Sequence, residues 1–156
     1  MKRFKFSLQQ VLNLKTSQKF QIENDMANLQ RQKLRIEKNL NDLTQQWQTE
    51  QKALAMEQGR KIDADYRLRM GYLDFLDQQI AVENKTLLNV VKQISTTREK
   101  LAIVMQEEKV IKKLRDKRYE EHMTTEQQEE QKITDDLVNQ RVVQDILKST
   151  LHDKEE

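Results

Sequence analysis

The sequence predicts an all-α protein, a long two-helix antiparallel coiled coil, and three observations carry the prediction. The 156 residues include no Pro and two Gly, too few to supply the turns of a sandwich, a barrel or a doubly wound sheet. Strong helix formers (Ala, Leu, Glu, Lys, Arg, Gln) make up more than half of the chain. Apolar residues are 36% and charged residues 35%, which is too little hydrophobic material for a compact globule but enough for a narrow seam between helices.

Length and charge set further bounds. The chain reads as one coiled-coil domain, residues 1–156. A net charge of +2 argues against a self-repelling disordered chain. No stretch approaches the roughly 20 apolar residues of a membrane span, so a soluble protein is expected. Lys2, Arg3 and Lys5 are not followed by the apolar core of a signal peptide. The absence of Cys fits a reducing compartment and removes disulfides and thiolate zinc sites.

Helix one is expected over about 5–57. Its apolar residues alternate at spacings of three and four: Leu8, Leu12, Ile22, Met26, Leu29, Ile36, Leu40, Leu43, Trp47 and Leu54. Lys15, Lys19, Lys33 and Glu50 are the polar exceptions. A 3.5-residue period held this long specifies a left-handed supercoil. A turn is expected over about 58–64, with Gly59 in the left-handed conformation and Asp63 or Asp65 capping the next helix.

Helix two is expected over about 65–150. Its seam runs through Ile62, Tyr66, Leu73, Leu76, Ile80, Leu87, Val90, Ile94, Leu101, Val104 and Ile111, interrupted by Glu83, Thr97 and Glu108. Gly71 weakens this helix by about 1 kcal/mol relative to Ala. A tight reversal makes the seams antiparallel, and pairing residues whose numbers sum to about 123 lays one on the other. That register sets Lys15 opposite Glu108 as a seam ion pair; sums of about 116 or 130 also keep the seams facing. The C-terminal part of helix two, about 119–151, overhangs helix one. Its apolar residues Ile133, Leu137, Val138, Val142, Ile146, Leu147 and Leu151 need an external partner.

No phosphate-binding loop, HExxH pair, GxSxG elbow or cysteine nucleophile occurs, so no enzyme, cofactor or metal is expected. His122 and His152 stand 30 residues apart on polar segments expected to be exposed. The main charge feature is Lys109–Arg118, with six basic residues, followed by five acids between Glu120 and Glu130. That dipolar arrangement is unlike a nucleic-acid-binding stripe and fits an acidic protein surface or a solvated helix face. In the hairpin it lies beside the basic N-terminus, giving a basic tip with Phe4, Phe6 and Tyr119. These aromatics either close the coiled coil or bind a partner. Near the reversal, Leu68, Tyr66, Tyr72 and Phe75 either broaden the seam or form another contact.

Four stretches in order resemble the flagellar export protein FliJ family. Phe4 to Lys15 (FKFSLQQVLNLK) is similar to its F-x-F-x-L-x-x-[VL]-L-x-[LI]-[KR] opening, and Tyr72 to Leu76 (YLDFL) to its Y-x-x-F-[LI] segment. Glu108 to Arg118 (EKVIKKLRDKR) resembles its E-K-x-x-[EK]-K-L run. Glu130 to Leu137 with Arg141 resembles its E-x-K-x-x-[DE]-[DE]-[IL]-x-x-x-R tail. The chain departs from the pattern at Gln79 and Glu83, where the family often continues apolar.

The resemblance implies a non-enzymatic coiled coil similar to the central stalk of rotary ATPases, acting in type III protein export. It implies three partners: the export ATPase ring, whose assembly it promotes, the membrane-embedded export gate protein, and export chaperones. Carried onto this chain, the ATPase-facing end comprises Phe4, Phe6, Leu8, Leu12, Lys109, Arg115, Arg118 and Arg141, and the gate-facing surface Tyr72 and Phe75. It implies a cytoplasmic protein peripherally associated with the inner face of the membrane. The equivalent stalk of a virulence-type injectisome, a self-associating scaffold and a nucleic-acid-binding arm are the alternatives.

Overall fold

A computed structural model describes residues 3–57, 59 and 63–152, with side chains to residue 150. Lys2, Ile62 and the side chains of Leu151 and His152 lie outside the described residues. Two α-helices are present, α1 (Gln9–Met56) and α2 (Ala64–His152), and no strand occurs among the described residues. The helices pack on each other as an antiparallel coiled coil. Two compact units divide the chain, Lys15–Gln106 and Met1–Leu14 with Glu107–Glu156.

The reversal uses the chemistry its sequence offers. The amide of Glu57 donates to the Leu54 carbonyl at 3.1 Å, closing the last turn of α1. Gly59 follows at φ 110°, a conformation that a Cβ disfavours. Asp63 then caps α2: its Oδ1 accepts from the Tyr66 amide at 2.9 Å and its carbonyl from the Arg67 amide at 3.2 Å. Arg69 lies 3.5 Å from Asp65 and 3.7 Å from Glu57, tying the start of α2 to the end of α1.

Within the unit 15–106, burial repeats at three and four residues along both helices. Leu54, Leu73, Leu76, Val90 and Ile94 are buried, and Ile22, Met26, Leu29, Ile36, Leu40, Leu43, Trp47, Ile80, Leu87, Leu101 and Val104 are half-buried. Lys33, Glu50, Glu83 and Thr97 occupy the same stripe, also half-buried, so the polar interruptions are seam positions and not breaks in it. Burying a Leu side chain such as Leu76, 1% exposed, contributes about 1.5–3 kcal/mol. The indole N–H of Trp47 is out of solvent without a hydrogen-bond partner, which costs about 1–3 kcal/mol against that gain.

One groove fixes the register. Asp25, Asn28 and Leu29 of α1 line it with Gln93, Thr96 and Thr97 of α2, so the numbers of facing residues sum to about 123. A heptad slip to about 116 or 130 would move each residue by about 10 Å along its neighbour.

Two substitutions check this account. Asp63→Ala removes the cap and is expected to cost about 1 kcal/mol of stability, read by urea unfolding. At Gly71 an added Cβ meets nothing within 4 Å, so Gly71→Ala is expected to gain about 1 kcal/mol and raise Tm by about 2–4 °C.

Candidate functional site

The residues of the basic tip lie in the unit formed by 1–14 and 107–156. The chain enters without helical structure over residues 3–6. The Phe6 carbonyl accepts from the Gln9 amide at 3.2 Å and the Leu8 carbonyl from the Leu12 amide at 3.0 Å, so α1 begins at Gln9 and not near residue 5. Leu12 is buried, 3% exposed, and Leu8 is half-buried. Together they anchor the first turn.

Ahead of that anchor, Phe4 lies against α2. Its ring meets Tyr119 edge-on, centroids 5.4 Å apart at 81°, and His122 at 5.6 Å and 40°. An edge-to-face pair contributes about 0.5–1.5 kcal/mol beyond its buried area. Arg118 Nη1 donates to Ser7 Oγ at 3.2 Å, a second tie between the entering segment and α2. A groove of about 630 Å³ remains beside it, lined by Phe4, Lys5, Phe6, Gln9, Gln10 and Arg115.

The charges divide into those spent inside the unit and those facing out. Arg115 turns to its neighbour, with Nε and Nη2 3.3 Å and 3.1 Å from Asp116 Oδ1. Lys112 Nζ lies 2.6 Å from Glu108 Oε1, a carboxylate 3% exposed whose desolvation requires a close cation. Lys109, Lys113, Lys117 and Arg118 are exposed. The groove itself carries the cations Lys5 and Arg115 beside Phe4 and Phe6, a form that draws an acidic surface.

Phe4, Phe6, Leu8, Leu12, Arg115 and Arg118 are thus assembled in one place. Arg141 is not: it stands exposed 23 residues past Arg118, about 35 Å along the helix. Lys15 and Glu108, expected to pair, belong to different units; Lys15 is half-buried at a seam position.

His122 corrects an expectation. Its side chain is 25% exposed, against Phe4 and 3.6 Å from Glu126 Oε1, an ion pair when the imidazole is protonated. The signal was the heptad spacing itself: His122 stands seven residues past the half-buried Arg115 and four before the half-buried Glu126, although the residues turn polar. Beyond Glu126 every described side chain of α2 is exposed, including Ile133, Leu137, Val138, Val142, Ile146 and Leu147.

A second surface lies in the unit 15–106. Tyr72 and Phe75, 41% and 52% exposed, stack at 6.4 Å and 20°. The Tyr72 hydroxyl reaches Gln46 Oε1 at 3.5 Å. Leu68 is also exposed, whereas Tyr66 turns into the seam. Among the described residues no three metal-ligating side chains converge, and no helix is long and apolar enough to cross a membrane.

These features define an all-helical coiled-coil protein. The family model of the flagellar FliJ protein matches residues 4–145, nearly the whole chain, and the chain belongs to that family. It is accordingly a component of the flagellar protein export apparatus. No curated protein and no solved structure matches it.

The Phe4 ring is one of two ties between the entering segment and α2, the other being the Arg118–Ser7 hydrogen bond, and removing the ring gives a direct check. Phe4→Ala is expected to cost about 1–2 kcal/mol locally and to raise amide hydrogen exchange in residues 3–12 while leaving residues 20–100 unchanged.

Proposed function

We propose that this chain is the stalk of the flagellar export apparatus, bound at its tip to the export ATPase ring and through Tyr72 and Phe75 to the membrane-embedded export gate protein. Phe4, Phe6, Leu8, Leu12, Lys109, Arg115 and Arg118 form the ATPase-facing tip, and Arg141 contacts the same ring farther along the tail. The chain promotes ring assembly, couples the ring to the gate and hands on export chaperones. It does so in the cytoplasm, peripherally associated with the inner face of the membrane.

The observation that carries this reading is the tip, where a groove lined by Phe4, Phe6, Lys5 and Arg115 joins aromatic and cationic groups in a chain of this family. A stalk needs no chemistry of its own. It needs contacts whose strength differs between conformations of the ring, because differential affinity alone can bias assembly or couple nucleotide state to the gate.

The test is ATP hydrolysis and ring assembly of the cognate export ATPase with and without the chain. Arg115→Glu with Arg118→Glu is expected to lower stimulation about tenfold, equivalent to about 1.4 kcal/mol of binding, at unchanged helicity by circular dichroism. Undiminished stimulation overturns the tip assignment. Stimulation of an injectisome ATPase and not the flagellar one overturns the flagellar stalk.

A further inference from the structure

Tyr119, His122 and Glu126 mark one stripe of α2. The Phe4 ring covers its first two members, and His122 and Glu126 are half-buried. On the continuous helix the same stripe runs on through Ile133, Leu137, Gln140, Gln144 and Leu147, all within about 60° of Glu126 around the axis. Among the described residues nothing covers this part: Ile133, Leu137 and Leu147 are 60%, 55% and 57% exposed. The face is the bare continuation of one that is already packed.

Its spacing decides what fits. Positions 133, 137, 140, 144 and 147 alternate steps of four and three, the repeat of a two-stranded seam, and the sequence places Leu151 at the next step. The order of residues is also a mirror about position 142. Gln140 and Gln144 stand two residues either side of it, Leu137 and Leu147 five, and Ile133 and Leu151 nine. A seam that reads the same from both ends is complementary to itself when turned end for end, which is the condition for an isologous two-fold contact.

Laid antiparallel with paired numbers summing to 284, Leu137 of each copy meets Leu147 of the other, and Gln140 meets Gln144. The two amides can exchange hydrogen bonds across the axis, and a polar pair at a seam position fixes register. Arg141 meets its own counterpart at the flank, an exposed like-charge pair that weighs little against the apolar layers. A parallel pair would instead set Asp136 beside Arg141 of the other copy, but it is obstructed. Phe4 lies on the stripe at His122, 11 residues or about 16 Å before Ile133, so parallel tails would drive both Phe4 segments into one cleft. Turned end for end, the second copy runs away from that segment.

We infer that two copies of this chain pair through their tails, antiparallel, about a two-fold axis level with Val142. Val138, Val142 and Ile146 lie on the opposite side of the helix and stay outside the pair. The inference goes beyond the stalk reading and does not rest on it.

The experiment is sedimentation equilibrium of the full chain from about 1 to 500 µM, with helicity and Tm as folding controls. A dimer that dissociates on dilution is expected. Leu137→Gln with Leu147→Gln is expected to raise its Kd at least about tenfold at unchanged helicity, because both side chains are exposed in the single chain. Val138→Gln with Ile146→Gln is expected to leave Kd within about twofold. The chain has no Cys, so Gln131→Cys takes a single spin label, and the two labels of an antiparallel dimer stand about 33 Å apart along the helices. Monomer at every concentration, wild-type Kd in the leucine variant, or loss of the dimer in the Val138 and Ile146 variant overturns this seam. A label separation under about 20 Å overturns the antiparallel arrangement.

Discussion

The structure depends on a seam one side chain deep. Each helix can shelter its apolar stripe only against the other, since no third layer exists to take up a misplaced residue. Register is therefore the variable that everything else inherits. It decides which residues are buried together, and so which side chains are left outside to meet partners. In the unit 15–106 the facing of Asp25, Asn28 and Leu29 with Gln93, Thr96 and Thr97 sets the seam. Tyr72 and Phe75 fall off it because their helical positions are already committed by Leu73 and Leu76.

The polar seam positions refine this constraint. Lys33, Glu50, Glu83 and Thr97 are half-buried in the stripe, where an apolar residue would bury more surface and hold the helices more tightly. Their cost is consistent with specification of pairing, a known use of polar groups at seam positions. Glu108 is the extreme member, 3% exposed with Lys112 2.6 Å away.

Much of this was legible in the sequence, for reasons that are local. The three-and-four spacing gives both seams, Gly59 marks the end of α1 and Asp63 the start of α2, because periodicity and capping act within one or two turns. What the sequence left obscure depends on pairs far apart in the chain. The Phe4 ring settles on Tyr119 and His122, more than a hundred residues on, so the late start of α1 could not be read locally. Arg141 was grouped with the tip by resemblance, and helix rise alone places it a long way from Arg118. Gly71 read as a weak point in a helix until its open surroundings showed that nothing inside the fold requires it.

The thinness of the seam also governs how the molecule responds to temperature. The chain keeps 13267 Å² accessible to solvent, against about 8300 Å² for a globular protein of its mass. Little apolar surface leaves water on folding, so the heat-capacity increment per residue lies below the ~12–15 cal/mol/K of globular domains. The stability curve is correspondingly shallow, with no sharp optimum and little penalty on cooling. A component of the flagellar export apparatus thus keeps a nearly constant stability over a broad range of temperature.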